Sequence, residues 1–121
     1  MKLLDSNIII YSAKPEHQDL KDLINSGNAA ISAMTKIEVL GYHKITPEQL
    51  TYFNAVFNSV KEYNIDKSVI DTAIKVRQGK NIKVGDAIIG ATAIVHSLEL
   101  ITRNVADFKH LSNITITNPI D

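Results

Sequence analysis

Four acidic residues carry the chemistry this chain is equipped for: Asp5 in LLDSN, Glu38 in TKIEVLG, Asp86 in VGDAIIGATA and Asp107 in ITRNVADF. They lie far apart in sequence, each beside an apolar run. Gathered in space, they would form a carboxylate-only cage for a hard divalent cation, Mg2+ or Mn2+, since such ions prefer oxygen ligands. An ion so held polarises a phosphoryl oxygen and lowers the pKa of bound water, which is the chemistry of phosphodiester cleavage. Each acid also has a plainer explanation when taken alone. Glu38 stands three residues after Thr35, the spacing of a capping box. Asp86 and Asp107 fit helix caps or first turns, where the helix dipole favours negative charge. Asp5 is the hardest to dismiss, because an unpaired carboxylate between Leu4 and Ile8 is costly. Taken together, four acids on one edge would raise one another's pKa unless a cation neutralised them. That shared problem favours a metal site.

Other chemistries are excluded by what is missing. The chain of 121 residues has no cysteine, so disulfides, thiolate zinc sites and cysteine nucleophiles are out; a reducing compartment fits. Its four histidines, His17, His43, His96 and His110, lack the HxxxH pairing of a zinc site. His96 reads as a core-edge helix residue and the other three as surface residues. There is no G-x-S-x-G for a serine nucleophile and no glycine-rich phosphate loop. Thirteen basic residues balance 13 acidic ones, so no global basic field exists to draw in nucleic acid. The charge is nonetheless uneven. Lys75, Arg77, Lys80 and Lys83 lie between Thr72 and Gly85 with no acid among them, just before Asp86. Spacing alone favours a solvated helix end and loop there; beside a catalytic acid, the same stretch could hold a nucleic-acid backbone.

The elements that must position these residues can be read from the pattern. Lys2–Leu4 predicts a short buried strand, and Asp5-Ser6-Asn7 a strand end leading into a turn or helix start. Residues 17–26 predict an amphipathic helix with Leu20, Leu23 and Ile24 inward and Gly27 as its C-cap. Residues 29–33 predict a second buried strand. Thr35 to Glu38 predicts the start of a helix running to about Tyr42. Thr46-Pro-Glu-Gln49 marks a further helix start, with Leu50, Phe53, Val56, Phe57 and Val60 on its apolar face. A short strand is expected at 61–65. A helix capped by Asp66 then buries Val69, Ile70, Ala73, Ile74 and Val76. Residues 78–85 predict a loop and 86–98 a helix apolar nearly all round. Strands are expected at 100–102 and 114–116, with a helical turn at 107–111 between them. Alternating strands and helices argue an α/β fold with a mostly parallel sheet. One domain spanning 1–121 is the simplest reading, with no segment long enough to span a membrane and a poor match to a signal peptide. Strand ends and the starts of the helices that follow share one edge of such a sheet, where ligands bind. All four acids are therefore expected on the same edge.

The four phrases, in this order, resemble the motifs of the PIN-domain family, and within it the VapC-type toxins of bacterial toxin–antitoxin pairs. LLDSNIIIYS is similar to the family's opening strand with its first acid, TKIEVLGY to the second motif, KVGDAIIGATA to the third and LITRNVADF to the fourth. The resemblance covers nearly the whole chain. It implies a Rossmann-like three-layer fold, a cytoplasmic endoribonuclease dependent on Mg2+ or Mn2+, a homodimer, and a cognate antitoxin protein. Asp5, Glu38 and Asp86 would be core metal ligands. The fourth place falls to Asn104 or Asp107, the amide being the weaker, neutral ligand; Gly90 stands where alanine is more usual. Ser6, Asn7, Thr102 and Asn104 would support and orient the acids, and Lys83, Arg103, Lys80 and Arg77 are candidate RNA contacts. The expected reaction is in-line attack of water on a backbone phosphate, leaving a 5′-phosphate and a 3′-hydroxyl. Two other readings compete: a catalytically silent PIN-like module that binds RNA or protein, and a phosphatase or receiver domain. A phosphatase of the haloacid-dehalogenase type would want an acid where Asn7 stands. A receiver would want paired early acids and a late strand lysine. The chain has neither pattern.

Overall fold

The computed structural model describes residues 1–120. The short apolar segments pair side by side. β1 (Lys2–Leu4), β2 (Ala29–Ser32), β3 (Lys61–Tyr63), β4 (Glu99–Ile101) and β5 (Ile116–Thr117) form one sheet in the order β3-β2-β1-β4-β5. Every neighbouring pair is parallel, so the expectation of a mostly parallel sheet becomes an all-parallel one. Among the described residues, seven helices connect and cover the strands: α1 (Ser6–Ser12), α2 (Gln18–Ile24), α3 (Ala33–Leu40), α4 (Pro47–Ser59), α5 (Lys67–Gly79), α6 (Val84–His96) and α7 (Val105–Phe108).

Strand side chains alternate between faces, and a parallel sheet needs both faces covered. Leu4, Ile31 and Ile101 point to one side, where they meet Ile8 and Ile9 of α1, Leu20 and Ile24 of α2, Val39 of α3, and Phe53, Val56 and Phe57 of α4. Leu3, Ala30 and Leu100 point to the other, against Ile89 and Ala93 of α6, Phe108 of α7 and Leu111. α5 lies outside α6, with Val69 and Ala73 against Ala87 and Ala91. This explains why α6 is apolar nearly all round: it is packed on the sheet and under another helix. The result is the three-layer α/β architecture expected from the resemblance.

Several local expectations change. α3 begins at Ala33, and its cap is Ser32, whose hydroxyl accepts the Met34 N–H at 3.1 Å. Thr35 is therefore inside the helix, no capping box joins it to Glu38, and Glu38 lies in the second turn. The Thr46–Gln49 capping box does form, reciprocally, with Pro47 opening α4. Asp66 caps α5 through the Val69 N–H at 3.0 Å. On α5, Ile70 and Ile74 are not buried but 46% and 50% exposed, and Leu50 of α4 is 42% exposed. Adjacent positions on a helix are turned by about 100°, so the row of Val69 and Ala73 meets α6 while its neighbours turn away. α2 ends at Ile24 with Asn25 as C-cap; Gly27 instead turns the chain into β2 at φ +80°, a conformation that glycine adopts without strain. α6 starts two residues earlier than expected. The turn expected at 107–111 is instead α7 at Val105–Phe108, so Asp107 lies inside its helix. His110, expected on the surface, is partly buried, and both its ring nitrogens are buried without a hydrogen-bond partner among the described residues. At Gly90, an added Cβ would lie 2.6 Å from Leu111 Cδ1; the missing methyl lets the segment after α7 close on α6.

Candidate functional site

The carboxyl edge of the sheet gathers the acids. Asp5 leaves β1 and caps α1. It is 4% exposed, and its oxygens are engaged: Oδ1 accepts the Ser6 N–H at 2.8 Å, and Oδ2 accepts Thr102 Oγ1 at 2.7 Å and Asn7 Nδ2 at 3.2 Å. Thr102, fully buried just past β4, therefore fixes the direction in which this carboxylate points. Asn7 also accepts the Arg103 N–H at 3.3 Å and so ties the start of α1 to the end of β4. The Ser6 hydroxyl donates to Glu38 Oε1 at 2.6 Å and lies 3.2 Å from Thr35 Oγ1, which links α1 to α3. Thr35, buried within α3, is a supporting residue that the sequence concealed, because its spacing to Glu38 reads as a cap.

Asp86 occupies the first turn of α6, half-buried. Directly before it, Gly85 makes room for Glu38. A Cβ at position 85 would lie 2.6 Å from Glu38 Oε2, so the absence of a side chain lets the carboxylate of α3 reach the start of α6. The sequence pattern predicts Gly85 in a loop before the helix, and nothing in it marks this role. Asp107, in the first turn of α7, lines a cleft of about 260 Å3 with Asp86, Lys80, Asn81, Ile82, Lys83 and Ala106. Asn104 stands at the N-cap of α7 but makes no side-chain cap; its backbone N–H donates to Thr102 Oγ1 at 3.0 Å. Of the two candidates for the fourth place, the acid is the one that shares the cleft with Asp86.

The electrostatics report the crowding. The Asp86 carboxyl is pushed up to about 6, chiefly by desolvation, then by the charges of Asp5, Glu38 and Asp107, with Lys83 opposing. Asp5 is raised by burial, against the hydrogen bonds from Thr102 and Ser6, with Glu38 and Asp107 adding to the rise. Among the described residues, the two salt bridges, Lys36–Glu62 and Lys67–Asp71, involve none of these acids. As the side chains stand, no group of three or more His, Cys, Asp or Glu among the described residues is close enough to clasp a metal ion. The set is open: Asp5 is locked by its hydrogen bonds, whereas Glu38 and Asp107 are exposed.

The basic residues divide. Lys80 and Lys83 line the Asp86–Asp107 cleft. Arg77 is turned to its own loop, with Nε donating to the Ile82 carbonyl at 3.1 Å. Arg103 lies over the Tyr11 ring, 4.9 Å from its centroid, and donates to the Tyr11 hydroxyl. No helix among the described residues is long and apolar enough to cross a membrane.

Known proteins agree with this architecture. No curated protein sequence matches the chain. Among solved structures, a chain of a toxin–antitoxin complex from Klebsiella pneumoniae superposes with a TM-score of 0.80 at 30% identity, covering 100% of this chain and 99% of that one. FitAcB from Neisseria gonorrhoeae gives a TM-score of 0.78 at 24% identity, covering 98% of each chain. DNA-bound VapBC from Salmonella typhimurium gives 0.81 at 21% identity, covering 96% of each. The latter two likenesses bear on the fold alone. The family model described as the PIN domain matches residues 2–114, nearly the whole length from β1 to the approach to β5. By fold and by sequence, the chain belongs to the PIN-domain family.

Proposed function

We propose that this protein is a metal-dependent endoribonuclease, the toxin of a VapBC-type toxin–antitoxin pair. One observation carries the reading: four carboxylates converge on one sheet edge with no salt bridge to any of them among the described residues, and burial together with the neighbouring acids raises the proton affinity of Asp5 and Asp86. Such a set is unfavourable by itself and favourable around a divalent cation. The donors are all oxygens, which suits Mg2+ or Mn2+ and not a thiolate or imidazole metal. Asp5, Glu38, Asp86 and Asp107 would hold the ion. When bound, it would supply charge to a phosphoryl oxygen and ease deprotonation of water. The chain's own residues do the rest. Thr102, Asn7 and Ser6 hold Asp5 in one orientation, and Ser6 also steers Glu38. Lys80 and Lys83, on the wall of the cleft, offset the repulsion between an RNA phosphate and the acids.

A cognate antitoxin is the partner we infer, supported by the likeness to a chain of a toxin–antitoxin complex. A groove of about 540 Å3 beside Glu38, walled by Ile10, Val39, Tyr42, Ile45 and Phe53, is apolar enough to receive such a partner and close enough to the acids to obstruct them. The deciding experiment is incubation of the purified chain with total RNA and Mn2+ or Mg2+, followed by sequencing of the new ends. Metal-dependent cuts bearing 5′-phosphates, abolished by EDTA and by Asp86→Asn, are expected. Cyclic phosphate ends, or cuts that persist in the variant, would overturn the assignment.

A further inference from the structure

Beyond the acid cleft lies a second one, and Lys80 belongs to both. This second cleft has a volume of about 360 Å3, and its polar lining includes Lys75, Lys80, Thr72, Ser112 and His110. It contains no acid. Lys75 and Lys80 are in no salt bridge among the described residues. Lysines near the end of α5 would complement its dipole in any case, but that role does not account for the wall opposite. There His110 keeps both ring nitrogens buried and without a hydrogen-bond partner among the described residues, a costly arrangement for a polar ring. An acceptor bound in the cleft would be a partner for this ring. Two ammonium groups in no salt bridge among the described residues, two hydroxyls and an unsatisfied imidazole, with no carboxylate, stand among Val76, Ile94 and Leu111 as polar groups suited to an oxyanion.

We propose that this cleft is a phosphate subsite for the RNA stretch flanking the scissile bond, so that one strand runs from Asp86 past Lys83 and Lys80 to Lys75 and His110. The inference rests on the ribonuclease reading and adds to it a direction for the strand. It also answers a physical difficulty. Four carboxylates repel a polyanion, and the chain has no net positive charge to compensate, so the strand must be held by local cations beside the site. Arg77 serves this indirectly, because its bond to the Ile82 carbonyl shapes the 80–83 loop on which two of those cations stand.

The test uses the cleavage-deficient Asp86→Asn protein and a fluorescently labelled pool of random-sequence 20-nucleotide RNA, with Kd measured across a range of KCl concentrations. Each phosphate contact to a single strand adds about 0.7 to the slope of log K against log salt. Lys75→Ala should therefore weaken binding evenly across the pool and flatten the slope by about 0.7, and Lys75→Ala/Lys80→Ala by about 1.4. Lys75→Arg should restore the slope. Lys67→Ala, at the opposite end of α5, should leave it unchanged. The His110 ring nitrogens should shift in NMR spectra on addition of the RNA. Thermal melts confirm that each variant is folded. If wild type cuts RNA and Asp86→Asn binds the pool, but Lys75→Ala binds with an unaltered slope, the subsite is wrong and the nuclease stands. If wild type neither cuts nor binds RNA, both fall.

Discussion

Asp5 shows how much one carboxylate depends on the groups around it. It is buried on a sheet edge, faces other acids, and stays oriented because Thr102, Asn7 and the Ser6 backbone donate to it. Thr102→Val keeps the shape and removes the shortest of these bonds. It also orphans the Asn104 N–H. The expected cost is about 1–3 kcal/mol, since hydrogen bonds to charged groups exceed neutral ones, and urea unfolding measures it. Thr102 and Ser6 were expected as supports from the resemblance to the family's motifs. That resemblance gave no comparable pointer to Gly85, whose contribution is an absence. Gly85→Ala would place a methyl 2.6 Å from Glu38 Oε2. The clash is with the end of a flexible side chain, so Glu38 should swing aside at little cost in stability. Titration of Mn2+ against the variant should show weaker binding with an almost unchanged denaturation midpoint. An unchanged Mn2+ affinity would mean that Glu38 need not stand against α6.

At the scale of elements, the sequence was legible where one physical cause dominated. The Thr46-Pro-Glu-Gln49 start of α4 is a local hydrogen-bond pattern, and it forms as read. The sheet edge was legible for a topological reason: parallel strands send all their carboxyl ends the same way, so acids after β1, β2 and β4 had to converge. α3 was misread because two local patterns competed. Ser32 and Thr35 are both caps by residue type, and the strand's length decided between them: β2 ends at Ser32, and the helix begins at once. α5 was misread on Ile70 and Ile74 because apolar character along a helix does not say which row meets a neighbour. The α3 assignment is testable with two variants. Ser32→Ala should cost about 1 kcal/mol through loss of the cap. Glu38→Gln should carry no capping penalty and should stabilise the metal-free protein slightly, since it removes one of four mutually repelling charges. A Ser32→Ala variant as stable as wild type would mean that Thr35 caps the helix instead.

The whole molecule folds around an arrangement that opposes folding, and pH is the means of measuring that opposition. The Asp86 carboxyl titrates at about 6 in the fold against 3.8 when unperturbed. Its proton is therefore held more tightly in the folded state than in the unfolded chain. Between these two values the folded state binds more protons, so unfolding free energy rises as pH falls through about 6 towards 4, and falls as pH rises through the same window. Asp5, also raised, acts in the same direction. Metal-free protein should thus melt at a higher temperature near pH 5 than at pH 7.5, the reverse of a domain held together by ion pairs. Asp86→Asn should melt higher than wild type at pH 7.5 and lose most of the difference between the two pH values. Millimolar Mn2+ should raise the melting temperature of wild type at pH 7.5 by mass action, and less so at pH 5, where protons compete for the carboxylates. Asp5→Asn should blunt that gain. A wild-type protein whose metal-free stability falls steadily on acidification from pH 7.5, and which Mn2+ does not stabilise, would mean that the four acids do not act as one cluster. A gain on acidification that Asp86→Asn removes would mean instead that the fold tolerates a local electrostatic penalty at the edge where four helices receive the chain from the sheet, and that a divalent cation relieves it.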